Sequence, residues 1–278
     1  MASLRQIFHL LFLVALFAFC QVLNAADFSQ KREPKGPLHV RLDYSLASRD
    51  TRTWDGAHQW AFSTHLTFNG KVADITDGQL SKIAADAYKE MEVDILQYSP
   101  KYNKLGKPKY LPGVMTIMAF GNEIILSSSQ KGNPTFINEV ADSPVRAKLE
   151  LCNMFWRDFV AGPNADPSKL DHKNQRKCGE IMAFHQYYQV HDQDISKIEP
   201  KARVTTVFKK GDEYKIIPPC GTDRDDIWGC DFMLSELFGE HAIVTYFNAP
   251  NPQDYNLDQL AGGVAEIDQI ESCVQRGN

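Results

Sequence analysis

The chain has 278 residues, of which 43% are hydrophobic and 23% are charged. These proportions are typical of a folded globular protein and exclude an intrinsically disordered chain. The length excludes a chain too short to form a core. The formal net charge of −5 argues against a protein that binds duplex nucleic acid, because such proteins normally carry a basic stripe. The basic residues form short groups that are more typical of solvated loops than of anion contacts. One of these groups comprises Lys169, Lys173, Arg176 and Lys177.

The N-terminal segment, residues 1–25, has the order of a secretory signal peptide. Arg5 precedes an apolar stretch that runs from Ile7 to Cys20, and the segment ends with the small residue Ala25. Removal of this segment deletes one arginine and no acidic residue, which changes the net charge from −5 to −6. The apolar stretch is shorter than the ~18 residues expected of a membrane span, and no other stretch approaches that length. We therefore expect a secreted, extracellular protein without a transmembrane segment.

Residues 26–73 are expected to contribute two extra N-terminal strands. Apolar side chains alternate over residues 40–46 and again over residues 60–68, which indicates strands with one buried face. We expect these strands to form an antiparallel, half-solvated addition to the domain that follows.

The main domain is expected over residues 74–248, and its first element is a helix. Thr76 and Gln79 have the spacing of a capping box, and apolar residues then recur at helical intervals as far as Met91.

A β-hairpin should follow this helix. Residues 114–120 and 123–128 are almost continuously apolar, and they flank Gly121 and Asn122, a two-residue hairpin signal. Continuous apolar character predicts a central position in a sheet that is covered on both faces.

The rest of the chain alternates between helical and extended patterns, which predicts an α/β fold with a sheet covered by helices. The predicted elements are a helix from Ser143 to residue 161, a helix that begins near Cys178, a strand over 202–208, an extended segment over 214–217, a helix over 230–238, a strand over 242–247 and a weakly helical C-terminal tail over 249–278.

Five cysteines remain when the predicted signal peptide is removed: Cys152, Cys178, Cys220, Cys230 and Cys273. An odd number cannot all pair within one chain. Three metal ligands together with a disulfide between Cys152 and Cys273 would account for all five. Two disulfides and one unpaired thiol would also account for them, and disulfides are common in exported proteins.

Two of these cysteines stand where helices are predicted to begin. The N-terminus of a helix stabilises a thiolate, the form of cysteine that binds zinc, and Cys178 and Cys230 occupy such positions. Glu180 falls in the first turn after Cys178, where a carboxylate could move protons without being a metal ligand. A catalytic zinc site needs three protein ligands and an open fourth position, and this chain can supply them.

The motif Cys178-Gly179-Glu180, followed by Pro219-Cys220 and then Cys230, resembles the Cys-x-Glu and Pro-Cys-x-x-Cys signature of cytidine deaminases. The resemblance covers residues 74–248 and is greatest to the exported, effector- or toxin-like branch found in fungi. Nine residues separate Cys220 from Cys230, where the family usually has two.

This resemblance implies a three-layer α/β/α fold with a mixed sheet. It also implies that Cys178, Cys220 and Cys230 bind Zn²⁺, while Glu180 transfers protons during hydrolysis of an amidine C–N bond in a nucleobase, nucleoside or nucleic acid. The hairpin end, where nucleoside deaminases hold the sugar, corresponds here to Ser127-Ser128-Ser129. Ser128 and Ser129 are therefore candidate substrate-binding residues, and Trp228 is a candidate for stacking on a base.

The expected substrate is a small molecule or single-stranded nucleic acid, and no oligomeric state is predicted. Two alternatives remain open at this point. The protein could be a disulfide-stabilised binding or effector protein with a deaminase-like fold and no catalysis. It could also hydrolyse amides with Cys178 as nucleophile and His185 as base, although a packed helix residue is the favoured role for this histidine.

Overall fold

The structure, a computed structural model, describes residues 28, 30–48, 59–98, 102–104, 106–162, 166–224, 226–237, 243–244 and 251–273. The predicted signal peptide lies outside the described residues, as do most residues of the strand predicted over 242–247. In these ranges, no helix combines the length and the apolar character needed to cross a bilayer.

The described strands form one mixed sheet with the order β1-β2-β4-β3-β5-β6, in which β8 pairs with β2 and β7 pairs with β5. All pairings are antiparallel except that between β5 and β7, which is parallel. The strands are β1 (Arg41–Leu42), β2 (Phe62–Phe68), β3 (Val114–Phe120), β4 (Glu123–Ser128), β5 (Arg203–Lys210), β6 (Glu213–Ile217), β7 (Ile243–Val244) and β8 (Val264–Asp268).

Five α-helical segments accompany the sheet within the described ranges. They are α1 (Tyr44–Ala47), α2 (Asp77–Asp94), α3 (Pro144–Phe155), α4 (Gly179–Val190) and α5 (Cys230–Phe232). The wider turns Trp156–Val160 and Met233–Leu237 extend α3 and α5. The capping box predicted from Thr76 and Gln79 is present at the start of α2, and Ser143 caps α3. The α/β class is therefore confirmed.

The hairpin predicted around Gly121-Asn122 is confirmed, and it lies at the centre of the sheet. Alternate side chains of β3 enter two different core clusters, as expected for a strand that is buried on both sides. Met115 and Ile117 pack in a cluster with apolar residues of α2. Met118 and Phe120 pack in a second cluster with apolar residues of α3 and α4.

The N-terminal strands differ from the prediction in length and in burial. The first is limited to Arg41–Leu42, because the carboxylate of Asp43 accepts hydrogen bonds from the backbone N–H groups of Ser45 and Leu46 and thereby caps α1. The prediction that the second strand is half-solvated is wrong. Six of the seven residues of β2 are buried, because both faces of this strand are covered. Phe62, Leu66 and Phe68 pack in a core cluster, whereas His65, at an alternate position, is covered by its contacts with Glu123 and Asp268.

The prediction of a weakly helical tail is also wrong. The main regular element of the described tail is β8, and only a single helical turn, Leu260–Gly262, precedes it. Leu66 and Thr67 of β2 pair with Ile267 and Glu266 of β8. The two paired strands are therefore about two hundred residues apart in the chain, and a local sequence pattern does not indicate that they pair.

Candidate metal centre

The start of α4 lies directly against the centre of the sheet, and a glycine makes this approach possible. Cys178 is the N-cap residue of α4, and Gly179 is its first residue. A Cβ atom on Gly179 would clash with Oγ1 of Thr116 in β3 and would lie 3.0 Å from the carbonyl oxygen of Ser127 in β4. The absent side chain thus fixes where Cys178 and Glu180 lie relative to the two central strands.

Three cysteines and a histidine converge beside this helix end. Their ligand atoms, from His172, Cys178, Cys220 and Cys230, all lie within 4.8 Å of one another. The Sγ atoms of Cys178 and Cys220 are 3.3 Å apart. The Nε2 atom of His172 lies 3.6 Å from Sγ of Cys220 and 3.5 Å from Sγ of Cys230. The structure thus brings together the three cysteines that the sequence indicated, and it adds a histidine.

The nine residues between Cys220 and Cys230 do not keep the two sulfurs apart. The backbone N–H of Cys230 donates to Sγ of Cys220 over 3.2 Å, and that of Asp231 donates to the Cys220 carbonyl over 3.1 Å. A Cβ atom on Gly229 would clash with the Cys220 carbonyl and lie 2.9 Å from its Sγ. The loop therefore closes on itself and places Cys220 at the start of α5.

His172 is the member of this group that the sequence reasoning missed. Its ring is buried, it meets the indole of Trp228 edge-on at 5.0 Å, and its Nδ1 accepts backbone N–H hydrogen bonds from Asn174 (3.1 Å) and Arg176 (3.2 Å). The only sequence signal is a histidine six residues before Cys178, among basic loop residues.

The chemistry of the four donors suits a transition metal. Thiolate and imidazole are the usual ligands of structural and catalytic zinc. With Zn–S bonds of about 2.3 Å and Zn–N bonds of about 2.0–2.1 Å, a tetrahedral site has S–N edges of about 3.5–3.6 Å and S–S edges of about 3.8 Å. The S–N distances to His172 match these edges, whereas the distance between Cys178 and Cys220 is somewhat shorter. The group could therefore hold a metal ion.

The three thiols differ in how readily they lose a proton. Hydrogen bonds from Cys178, Cys230 and His172 lower the pKa of the Cys220 thiol. Donation to Cys220 raises the pKa of Cys178, and burial raises that of Cys230. Cys220 is therefore the thiol of this group that loses its proton most readily. A cation would favour deprotonation of the other two thiols as well.

Glu180 lies next to the ligand group without belonging to it. Its side chain is buried, and Oε1 accepts a 2.9 Å hydrogen bond from Oγ1 of Thr206 on β5. Thr206 is in turn 2.7 Å from Oγ1 of Thr116 on β3. Burial, and secondarily the charge of Cys220, raise the pKa of Glu180 to about 7. A carboxyl group with this pKa can both accept and return a proton near neutral pH.

A cavity of about 550 Å³ opens onto this arrangement. The cavity is lined by Cys178, Glu180, Thr206 and Cys220. Ile217 and two prolines contribute apolar surface to it. His172 and Cys230 are not among the lining residues, so they lie on the side of the metal centre away from the cavity. A ligand in the cavity would approach the centre past Cys178 and Cys220.

Comparisons with known proteins identify no relative. No family model matches the chain, and no curated protein or solved structure shows significant similarity to it.

Only one of the three candidate substrate-binding residues lines the cavity. Ser129 lines the cavity. Ser128 does not line it; its hydroxyl accepts from the backbone N–H of Phe62 and donates to the carbonyl of Ser129. Trp228 is buried, and its indole N–H donates to the carbonyl of Leu170. The indole packs against the ring of His172 and does not line the cavity.

The other cysteines and His185 lie apart from the metal centre. Cys152 and Cys273 pack against the same core cluster, and the bond predicted between them stays a prediction. His185 is fully buried, with Nδ1 3.0 Å from the Ser143 hydroxyl and Nε2 2.9 Å from the Ser272 carbonyl. These contacts agree with the packed role expected for this histidine and leave it no role as a base for Cys178.

Proposed function

We propose that the protein is a secreted, zinc-dependent hydrolase with a cytidine deaminase-like fold, and that it removes the amino group from a cyclic amidine such as cytosine or adenine. The observation that carries this proposal is the position of Glu180. Its buried carboxylate opens onto the same cavity as two candidate ligand cysteines, yet it is not one of the ligands. A proton-transfer group in a metal-dependent deaminase needs this placement.

The order of the elements supports the proposed fold. From α2 onward the chain runs helix, hairpin, additional helix, ligand helix, strand, additional strand, ligand helix and strand. Apart from the additional helix α3 and the additional strand β6, this is the order that the resemblance implies. β5 is antiparallel to β3 and parallel to β7, which is the mixed pairing expected of such a sheet. The division of β3 side chains between a cluster with α2 and a cluster with α3 and α4 supports a three-layer arrangement.

The residues of the chain fit the proposed reaction. Bound zinc supplies a Lewis acid that activates water at neutral pH. Glu180 accepts one proton from the attacking water and passes it to the ring nitrogen. It then accepts the remaining hydroxyl proton and passes it to the amino group, so that ammonia departs and a carbonyl product forms. Thr206 donates to Oε1 of Glu180 and thereby holds this carboxylate at the cavity.

The hydrogen bonds of His172 support a metal site with three cysteine ligands. Because Nδ1 accepts two backbone N–H groups, the neutral ring carries its proton on Nε2. That proton points towards the sulfurs of Cys220 and Cys230. A nitrogen that donates to thiolates is not a metal ligand, so Cys178, Cys220 and Cys230 would hold the zinc and one coordination position would be left for the reaction.

A second candidate function follows from the distances at the same site. The S–N distances of 3.5 Å and 3.6 Å also fit a closed site in which His172 is the fourth ligand. Such a site would be structural, and the protein would then be a secreted binding or effector protein without catalysis.

Metal analysis combined with one substitution tests the proposal. We expect about one zinc ion per chain, and release of ammonia from a panel of cytosine and adenine bases, nucleosides and nucleotides. Glu180→Gln should abolish turnover but retain zinc, because the residue moves protons without binding the metal. The matched control is Glu266→Gln, which makes the same change at an exposed position of β8 and should keep activity. Turnover that persists in Glu180→Gln, or a protein without zinc, would contradict the proposal.

A further inference from the structure

Three lysines line the cavity, although the chain as a whole is acidic. They are Lys131, which follows β4, and Lys173 and Lys177, which lie in the loop before α4. The backbone N–H of Gln130 donates to the carbonyl of Lys177 over 2.9 Å, and this bond joins the two lysine-bearing segments at the cavity. The acidic residues in the lining are Glu180, at the metal centre, and Asp223.

Only one of these lysines is neutralised by an acid of the described chain. Nζ of Lys173 lies 2.7 Å from Oδ1 of Asp223. Lys177 donates to two neutral oxygens, Oδ1 of Asn133 at 2.6 Å and Oε1 of Gln175 at 3.3 Å. Lys131 is exposed, and within the described residues neither it nor Lys177 belongs to an ion pair. Two positive charges of the cavity thus lack a counter-charge among the described residues.

Lys131 and Lys177 line the same cavity, so their like charges repel each other there. A bound anion would relieve this repulsion.

We propose that Lys131 and Lys177 form a phosphate subsite at this cavity, and that the substrate of the deaminase is a nucleoside monophosphate. The phosphate part of the proposal rests on the cavity alone, whereas the identity of the base rests on the proposed function. A volume of about 550 Å³ is suited to one small ligand. Single-stranded nucleic acid would instead need an extended positive groove, and the net charge of −5 provides little attraction for it.

Calorimetric titration of the zinc-loaded full chain tests the subsite independently of turnover. The probes are inorganic phosphate, CMP and AMP, with cytidine and adenosine as uncharged counterparts. We expect phosphate and one monophosphate to bind, and Lys131→Gln and Lys177→Gln each to weaken binding about tenfold, because each removes a charge-assisted hydrogen bond. Binding should also weaken as salt is added. Lys210→Gln, at an exposed position near the end of β5, is the matched control and should have no effect.

Failure of the phosphate subsite and failure of the deaminase proposal would give different results. Equal affinity for nucleoside and monophosphate, or equal effects of all three lysine substitutions, would overturn the subsite and leave the deaminase proposal intact. Phosphate binding that depends on Lys131 and Lys177, without deamination of any compound, would overturn the deaminase proposal and retain the subsite. A short single-stranded oligonucleotide that binds much more tightly than the monophosphates would overturn the assignment of a mononucleotide substrate.

Discussion

Oγ1 of Thr206 donates a 2.9 Å hydrogen bond to Oε1 of Glu180, and this bond links the central sheet to the candidate catalytic carboxylate. Thr206 lies on β5, whereas Glu180 lies in the first turn of α4. The hydroxyl therefore sets the direction of a carboxylate that has little solvent around it. An oriented carboxylate transfers protons more efficiently than one that samples several rotamers.

Loss of this hydroxyl should impair catalysis without removing the metal. We expect Thr206→Val to lower kcat about 10- to 100-fold, as removal of a residue that orients a reacting group commonly does. The free energy of unfolding should fall by about 1–3 kcal/mol, because a buried carboxylate loses a donor. The measurements are kcat as a function of pH, zinc content and urea denaturation.

Thr206→Ser is the control for this prediction, since it restores the hydroxyl. It should recover most of kcat, and it should return the pH profile of kcat towards that of the unchanged protein. A Thr206→Val variant with unchanged kcat and an unchanged pH profile would show that the threonine does not position Glu180.

Zinc X-ray absorption distinguishes an open site from a closed one at His172. We expect three sulfur neighbours at about 2.3 Å and no outer-shell scattering from an imidazole, because the ring donates through Nε2 and does not bind the metal. His172→Gln should retain about one zinc per chain with affinity reduced about 10- to 100-fold, as expected when a group outside the ligand set is removed. Imidazole scattering that disappears in His172→Gln would establish the closed site and favour the non-catalytic function.

Local sequence signals predicted the parts of the fold that are determined locally. The capping box at Thr76 and the two-residue turn at Gly121 specify their structures within a few residues, and both are present. The cysteines were recognised because Cys178 and Cys230 stand at helix starts, a position that a sequence pattern reveals.

His172 and β8 could not be predicted in this way, because their positions depend on tertiary contacts. Backbone N–H groups and Trp228 fix the ring of His172, and no regular spacing relates it to the cysteines. The strand β8 exists through its pairing with β2, and its alternation is too short to distinguish it from a loop.

Gly179 should be intolerant of a side chain. An alanine Cβ would clash with Thr116 and press on the Ser127 carbonyl, so the start of α4 would have to move away from the sheet. We expect Gly179→Ala to lower the free energy of unfolding by about 1–3 kcal/mol, as overpacking commonly does, and to weaken zinc binding because Cys178 moves with the helix. Gly113→Ala is the control, since a Cβ there meets no atom within 4 Å. Equal effects of the two substitutions in urea denaturation would contradict this account.

Glu123 lies between two histidines at the opposite end of the hairpin strand β4 from Ser128. Its Oε2 is 2.8 Å from Nε2 of His65 and 3.0 Å from Nε2 of His191, and Asp268 lies 2.7 Å from Nδ1 of His65. Burial acts to raise the pKa of Glu123, but hydrogen bonds from the two histidines outweigh it and lower that pKa to about 2. Burial likewise opposes a charged His65, yet Glu123 and Asp268 together raise its pKa above 6.5.

These shifts predict that the contribution of Glu123 and His65 to stability is greatest in mildly acidic solution. The contribution of Glu123 is complete above its unfolded pKa of 4.5 and is lost as the pH falls towards 2. The contribution of His65 is complete below 6.5 and is lost as the pH rises through its raised pKa. Glu123→Gln should therefore lower the free energy of unfolding by about 1–2 kcal/mol between pH 5 and 6 and by less at about pH 9, in urea denaturation across this range. Glu266→Gln should show no such pH dependence, and a constant loss in Glu123→Gln from pH 5 to 9 would mean that His65 is not a charged partner of Glu123.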